Sequence, residues 1–216
     1  MTAEELQRYY ASRASEYDAI YDKPERQEEL AALRALVTAF ARGRRVLEVA
    51  CGTGYWTAEL ARSAESVLAT DVGDEVLAVA GERGLQTHVV SFAKADAFRL
   101  DLVPGPFDAA FAGFWWSHVP RAALPRFLSG LHARLAPSAR VMLLDNRYVE
   151  GSSTPLSRTD EAGDTNQRRR LADGSTHEVL KNFPAAGEVR RCLEAAGARD
   201  VEVGKTTHFW RATYTR

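Results

Sequence analysis

The feature that most constrains the fold of this chain is a short apolar run that leads directly into a glycine turn. Residues 46–54 read Val-Leu-Glu-Val-Ala-Cys-Gly-Thr-Gly, and a helical pattern follows from Tyr55 to Ser63. A strand that brings an acidic residue to such a turn lets a ligand approach the backbone closely, at the carboxyl edge of a parallel sheet. The segment therefore predicts a nucleoside-binding site that includes Glu48, Gly52 and Gly54.

A second acidic residue supports this prediction. Asp71 ends the next apolar run, 17 residues after Gly54, which is about where a ribose-binding carboxylate lies in such folds. The alternative is that the two glycines only permit a tight turn and that Asp71 caps a helix beginning near Asp74. Each half of this alternative is plausible by itself, but the two together are much less so.

Strand and helix patterns alternate along most of the chain. We predict strands at 45–50, 66–70, 87–92, 107–112 and 139–144, and helices at 4–21, 25–42, 55–63, 74–83 and 120–135. This alternation implies a parallel sheet with helices on both faces, and therefore the α/β class. A polar excursion at 147–166, a hairpin at 167–183, a helix at 184–196 and strands at 199–203 and 207–215 complete the predicted elements. We expect one domain over residues 1–216.

The charge balance and the cysteine count limit the possible partners. Lys and Arg number 28 against 29 Asp and Glu, so no global basic field is available to hold nucleic acid or an anionic membrane. Cys51 and Cys192 are too few for a disulfide framework or a paired-cysteine metal site. The opening residues lack the apolar region of a signal peptide, and no later run is long enough to span a membrane. We expect a cytoplasmic protein, monomeric or homodimeric, without a bound metal.

The glycine turn, Asp71 and the segment Ala95-Asp96-Ala97 together resemble the class I S-adenosylmethionine-dependent methyltransferases. The resemblance is to the small stand-alone bacterial members of the ubiquinone/menaquinone-methyltransferase-like group, and it covers roughly residues 9–145. It implies a Rossmann-like, seven-stranded, mostly parallel sheet, with S-adenosylmethionine as cofactor and S-adenosylhomocysteine as product. The cofactor-binding residues that it implies are Glu48, Ala50, Gly52, Gly54, Trp56, Asp71, Val72, Asp96, Ala97 and Phe114. Ala50 departs from the family pattern, because many members have glycine there.

Two alternatives to a methyltransferase remain at this point. An NAD(P)-dependent oxidoreductase would need a small residue three positions beyond Gly54, and that position is Thr57. A non-catalytic S-adenosylmethionine-binding module would keep the fold without turnover. The resemblance also implies a division of the domain into N-terminal lid helices (1–42), a cofactor-binding core (43–146), a substrate-lid excursion with the hairpin (147–183) and a closing helix and strands (184–216).

The resemblance places residues 112–120 beside the transferable methyl group. Two adjacent tryptophans, Trp115 and Trp116, cannot easily face the same interior, so at least one is expected to line the acceptor pocket. His118 is a candidate general base, or alternatively a structural hydrogen-bonding residue. The segment lacks the Asn-Pro-Pro-aromatic or Asp-Pro-Pro-aromatic signature of enzymes that methylate base amino groups, so the acceptor is expected to be a small molecule.

Two further groups of residues are candidates for the acceptor site. Tyr9, Tyr10 and Tyr17 resemble the N-terminal lid helix of the family, although at least one of them can equally pack as an aromatic stripe on the sheet. Basic residues cluster beyond the fifth strand and predict an anionic acceptor for O- or N-methylation; they are Arg147, Arg168, Arg169, Arg170, His177 and Lys181. The alternative is a solvated basic face neutralised by neighbouring acids.

Overall fold

The computed structural model describes residues 18, 21–171 and 173–216. Its strands are β1 (Arg45–Val49), β2 (Ser66–Asp71), β3 (Val90–Lys94), β4 (Phe107–Gly113), β5 (Leu135–Asn146), β6 (Leu156–Thr159), β7 (Thr165–Arg170), β8 (Thr176–Leu180), β9 (Arg199–Lys205) and β10 (Phe209–Thr215). Its α-helices are α1 (Gln27–Ala41), α2 (Tyr55–Ala61), α3 (Asp74–Gly81), α4 (Leu124–His132) and α5 (Ala186–Ala195).

The main sheet has seven strands in the order β3-β2-β1-β4-β5-β10-β9. Strands β1 to β5 are parallel, and β10 runs antiparallel to both β5 and β9. The strand order changes direction between β1 and β4, and a ligand crevice lies outside the carboxyl ends of the strands at such a point. The predicted α/β class with a seven-stranded, mostly parallel, Rossmann-like sheet is confirmed.

Both faces of this sheet are buried, which is why its central strands are almost continuously apolar. In β1 the side chain of Val46 belongs to the apolar cluster that includes α1 and α2, whereas Leu47 belongs to the cluster on the opposite face that includes α4 and α5. Successive side chains of a strand point to opposite faces, so the run from Val46 to Val49 needs apolar residues on both. The two helical layers fix the carboxyl edge of the sheet on which the glycine turn lies.

The segment after β5 differs from the sequence expectation. It contains a strand, β6, which pairs antiparallel with β7, and β7 pairs with β8 in a separate three-stranded sheet. All four side chains of β6 are exposed, so its sequence carries no apolar alternation to reveal it. The hairpin predicted around Asp173 and Gly174 forms from β7 and β8, with β6 added at its edge.

Other boundaries shift by a few residues. Strand β3 begins at Val90 because Val89 and Val90 both donate to the carbonyl of Gln86 in a turn. The helix expected over 120–135 is shorter: a 3₁₀ turn at Arg121–Ala123 precedes α4, and β5 begins at Leu135. Of the predicted first helix, Asp18 and Tyr21 fall within the described residues, whereas Tyr9, Tyr10 and Tyr17 lie outside them. None of the helices in the described ranges is long and apolar enough to cross a membrane.

Candidate functional site

The glycine turn is held by the carboxylate of Asp71 at the end of β2. One oxygen of Asp71 accepts the backbone N–H of Gly52 at 2.9 Å, and the other accepts the N–H of Gly73 at 3.0 Å. Burial raises the pKa of this carboxyl, while the hydrogen bonds from the backbone lower it. Each oxygen keeps a second lone pair, so Asp71 can accept ligand hydroxyls while it fixes the turn.

The turn itself combines close packing on one side with open space on another. Gly54 has φ +81°, and a Cβ there would lie 3.1 Å from the Cβ of Ala80, so the turn packs tightly on α3. Gly52 has φ +55°, and a Cβ there would meet nothing within 4 Å. Ala50 also has a positive φ of 56°, a conformation that costs a non-glycine residue about 1–2 kcal/mol. The backbone at Gly52 is therefore not covered by neighbouring side chains.

Glu48 is a buried carboxyl directly before the turn. It accepts the hydroxyl of Thr57 at 2.6 Å. Burial, together with the nearby charge of Asp71, raises the pKa of Glu48 to about 8, although the hydrogen bond from Thr57 lowers it. A buried carboxyl of this kind ionises readily when a cationic group comes to rest beside it.

The next strand ends supply two exposed groups beside Asp71. Asp96 follows β3 and is exposed, with one oxygen accepting the N–H of Phe98 at 2.8 Å. Val72 is 40% exposed, whereas Ala97 is buried in the apolar cluster below. Because β2 and β3 are parallel neighbours, these groups lie at the same edge of the sheet as the glycine turn.

Aromatic rings cluster at the carboxyl end of β4. Phe114 has φ +58°, and its ring centroid lies 6.0 Å from that of Trp56, 5.7 Å from that of Tyr21 and 5.9 Å from that of Phe209. A Cβ at Gly113 would approach Trp56 to 2.9 Å, so glycine is required for this packing. Phe114 and Trp56 are therefore brought together, as the sequence predicted for residues of one site.

The two adjacent tryptophans both reach the same apolar cluster. Trp116 is buried and packs edge-to-face on Trp210 at 5.9 Å, while Trp115 is half-buried against Phe98 and Phe127. The expectation that they could not share one interior is wrong, because a 3₁₀ turn begins at Trp116 and successive side chains of such a turn are not opposed. This placement favours a packing role for Trp116.

His118 and Lys181 lie where the small sheet meets the end of β4. The Nδ1 of His118 and the carbonyl oxygen of Leu180 are 2.8 Å apart. Lys181 is buried and donates to Asp145 at 3.0 Å and to the hydroxyl of Ser117 at 2.6 Å. Asp145 also accepts the backbone N–H of Ser117 at 2.8 Å. This network connects the carboxyl ends of β4 and β5 to the end of the hairpin.

The remaining basic candidates are divided between surface and interior. Arg168 is exposed and pairs with Glu178 at 3.0 Å, Arg170 is exposed, and Arg147 donates to the backbone carbonyl of Thr207 at 3.1 Å. Arg169 and His177 are half-buried, and hydrogen bonds link them to Gln167 and Ser175 respectively. These positions favour the solvated-face alternative for Arg168 and Arg170.

Sequence reasoning missed four polar residues of this region: Ser117, Asp145, Asn182 and Arg26. They come from distant segments and show no shared spacing. Only the charge of Asp145, which directly follows an apolar run, could have drawn attention to one of them, because Arg26 lies in a polar segment. Within the part of the chain that the structure describes, no group of three or more His, Cys, Asp or Glu side chains could hold a metal ion.

Comparisons with known proteins agree with this geometry. Residues 46–138 match a family described as a methyltransferase domain. DhpI, solved as a complex with S-adenosylhomocysteine, is 33% identical, with a TM-score of 0.79 and coverage of 98% of this chain and 95% of DhpI. Its complex with S-adenosylmethionine and HEP gives 33% identity and a TM-score of 0.81, covering 98% and 96% of the two chains.

Two further relatives are more distant. A demethylmenaquinone methyltransferase of Staphylococcus aureus (strain JH9) is 25% identical over 179 residues, which cover 77% of this chain and 72% of the relative. An S-adenosylmethionine-dependent methyltransferase of Mesorhizobium loti is 20% identical, with a TM-score of 0.61 and coverage of 87% of this chain and 97% of that one. The latter likeness concerns the fold alone.

The sheet order, the glycine turn and the acidic ends of β2 and β3 thus define a nucleoside-cofactor enzyme of the Rossmann-like type. The chain belongs to the class I S-adenosylmethionine-dependent methyltransferases. It is an enzyme that uses S-adenosylmethionine as its cofactor, so the oxidoreductase and the non-catalytic module do not apply.

Proposed function

We propose that this enzyme methylates an oxygen or nitrogen atom of a small, negatively charged molecule, with His118 as general base. The observation that carries the proposal is the contact between Nδ1 of His118 and the carbonyl of Leu180. A carbonyl can only accept, so the ring proton lies on Nδ1 and the lone pair of the neutral ring lies on Nε2. A hydroxyl or protonated amine must lose a proton during methyl transfer, and Nε2 can take it.

The residues around the glycine turn fit the cofactor. When bound, S-adenosylmethionine supplies a methyl group already activated by its sulfonium, so the protein has chiefly to position the acceptor and exclude water. Open space in front of Gly52 admits the ligand to the backbone. We assign the methionine and ribose parts to Glu48, Ala50, Gly52, Gly54 and Asp71, the adenine to Val72, Asp96 and Ala97, and the wall beside the methyl group to Trp56 and Phe114.

We further propose that the N-terminal segment and the 147–183 excursion cover the site as lids. Two contacts support this for the N-terminal segment: the hydroxyl of Thr53 donates to Asp18 at 2.6 Å, and the ring of Tyr21 stacks on Tyr55 at 3.6 Å. Arg83 also pairs with Asp18 and donates to the carbonyl of Thr53. On the acceptor side, Lys181 anchors the hairpin beside the end of β4. Tyr9, Tyr10, Tyr17 and Trp115 remain proposed acceptor contacts.

The negative charge of the acceptor follows from the cations that approach this side of the sheet. Lys181 is buried beside Ser117, the residue before His118, and its charge is paired with Asp145. Arg169 and His177 are half-buried on the same small sheet. Buried cations and guanidinium groups recognise carboxylates and phosphates through charge-assisted hydrogen bonds. The DhpI complex with S-adenosylmethionine and HEP supports an acceptor that binds together with the cofactor.

The test is a metabolite survey with methyl-labelled S-adenosylmethionine. A cell extract is separated by ion exchange into acidic, neutral and basic fractions, and each fraction is incubated with the enzyme. We expect labelled product from the acidic fractions, at an oxygen or nitrogen atom. The control is Asp71→Ala, which should lose about 1–3 kcal/mol of cofactor affinity and most of the labelling at limiting cofactor. Labelling of neutral or basic fractions alone would contradict the proposed acceptor class.

A further inference from the structure

The start of α1 carries a buried arginine whose charge has no carboxylate partner. Arg26 is only 8% exposed, although it directly precedes the first residue of α1. Its Nη2 donates to the hydroxyl of Ser152 at 2.9 Å and to the Ser152 carbonyl at 3.3 Å, and its Nη1 lies 3.4 Å from the amide oxygen of Asn146. Its Nε is buried without a hydrogen-bond partner. Every partner among the described residues is neutral.

The two nearest acidic residues are committed to other groups. Glu29 accepts from the backbone N–H and the Nδ1 of His208, both at 3.0 Å. Glu25 accepts the hydroxyl of Ser152 at 2.8 Å. Neither forms an ion pair with Arg26, and no other carboxylate of the described residues lies within 4 Å of the guanidinium. A second cation, Lys23, donates to the same Ser152 carbonyl at 2.6 Å, which adds positive charge at this point.

A buried charge that forms no direct ion pair is costly to desolvate, and an anionic ligand that paired with it would offset this cost. Burial lowers the pKa of Arg26, while the nearby charges of Glu25 and Glu29 raise it without forming an ion pair, and the guanidinium remains protonated at neutral pH. The unpartnered Nε–H and the long Nη1 contact leave donors that an anionic oxygen can take. Neutral packing residues would satisfy this position at less cost.

The position of Arg26 in the fold points to the acceptor. Asn146 is the last residue of β5 and pairs with Phe209, the first residue of β10. The guanidinium carbon of Arg26 lies 6.0 Å from the centroid of the Phe209 ring, and that ring lies 5.9 Å from Phe114 at the end of β4. Arg26 therefore lies at the carboxyl end of β5, where the Phe209 ring connects it to Phe114 at the end of β4.

We propose that Arg26 binds the negatively charged group of the methyl acceptor, a carboxylate or a phosphate-type oxyanion. This inference rests on the anionic acceptor proposed above and names the residue that recognises it. It gives the anion-binding role to a buried arginine at the start of α1, whereas the exposed Arg168 of the hairpin already has Glu178 as its partner. The guanidinium fork offers parallel N–H donors that match the geometry of both anions.

The experiment measures the binding of simple anions, so that the identity of the acceptor need not be known. The protein is saturated with S-adenosylhomocysteine, and inorganic phosphate and acetate are titrated separately by calorimetry. We expect at least one of the two anions to bind the parent, and Arg26→Gln to weaken that binding tenfold or more. The matched control Arg168→Gln should bind it within twofold of the parent. The anion that binds more tightly identifies which of the two oxyanion types the site takes.

Two more variants separate ligand binding from a structural link between α1 and the 147–155 segment. Ser152→Ala removes the hydroxyl partner and keeps the guanidinium, so its anion affinity should equal or exceed that of the parent. Arg26→Lys keeps the charge but loses the fork, so its affinity should fall severalfold; this variant decides the matter if Arg26→Gln does not fold. Any of three results would overturn the inference. The first is that Ser152→Ala weakens anion binding as much as Arg26→Gln does. The others are that Arg26→Lys or Arg26→Gln binds the anion as tightly as the parent, or that the parent binds no anion.

The failure of this inference is distinguishable from that of the proposed function. If the parent labels acidic metabolites and Arg26→Gln retains anion affinity, the acceptor class stands and Arg26 does not recognise it. If the parent binds S-adenosylhomocysteine but labels neutral or basic metabolites alone, the proposed acceptor class fails first. Calorimetry with S-adenosylhomocysteine confirms in each case that the cofactor site is intact.

Discussion

Substitution of Gly52 by alanine should separate the backbone requirement of the glycine turn from its contact with the cofactor. Gly52 and Gly43 form a matched pair: their φ angles are +55° and +64°, and a Cβ at either would meet nothing within 4 Å. Gly43 precedes β1, whereas Gly52 follows it, so the two glycines lie at opposite ends of the same strand. The two alanine variants therefore carry the same conformational strain at different distances from the site.

The cost to folding should be small and nearly equal in the two variants. The left-handed conformation costs alanine about 1–2 kcal/mol, and the reduced freedom of the unfolded chain returns about 0.4–1 kcal/mol. The net loss of at most about 1.6 kcal/mol corresponds to a fall in Tm of at most a few degrees for a domain of this size. Thermal unfolding of the two variants without ligand measures this part.

The affinity for the cofactor should differ between them. A methyl group at Gly52 enters the open space in front of the turn, where steric overlap of about 1–3 kcal/mol weakens binding by roughly 5- to 150-fold. Calorimetric titration with S-adenosylhomocysteine should show this loss for Gly52→Ala and an unchanged affinity for Gly43→Ala. If the two variants bind S-adenosylhomocysteine equally well, the cofactor does not approach the backbone at Gly52 and the reasoning from the turn is refuted.

Three further predictions concern the polar groups of the site. His118→Gln should lower turnover by about 10²-fold or more with an unchanged affinity for S-adenosylhomocysteine; near-normal turnover would leave His118 a structural role. The pKa of Glu48 is about 8 in the folded protein, above the ordinary value that it has in the unfolded chain. At a pH between the two pKa values the protein therefore takes up a proton when it folds, and its stability falls as the pH rises through this range. Without ligand, the Tm of Glu48→Gln relative to that of the parent should therefore be higher at pH 7.5 than at pH 5.5. The same Tm difference at both pH values would contradict this. Lys181→Met removes one partner of the buried Lys181–Asp145 pair and should cost about 3–5 kcal/mol of unfolding free energy. Arg168→Gln, the control, should cost less than about 0.5 kcal/mol. Comparable denaturation midpoints for the two variants would show that the buried pair contributes no more than an exposed one.

The geometry of the glycine turn and Asp71, to which we assign the cofactor, was predictable because its signals are local. The turn at residues 50–54 requires small residues in one continuous segment, and Asp71 follows at the end of the neighbouring strand, so spacing along the chain translates directly into proximity. The alternation of apolar runs likewise predicted the sheet, since both faces of each central strand are buried. At Ala50 and Phe114, local reasoning left the strain of a positive φ unstated.

The polar contacts that we assign to the acceptor side depend on tertiary structure. Lys181 and Asp145 are 36 positions apart, and Arg26 meets Asn146 across 120 positions. No periodicity connects such residues, because their proximity depends on how the small sheet and the start of α1 dock against the ends of β4 and β5. The run of arginines at 168–170 was visible in the sequence, yet which of them faces solvent depends on the register of β7 with β8. The sequence shows which residues are charged, but only the packing of the folded chain determines whether a charged side chain is buried and which groups it contacts.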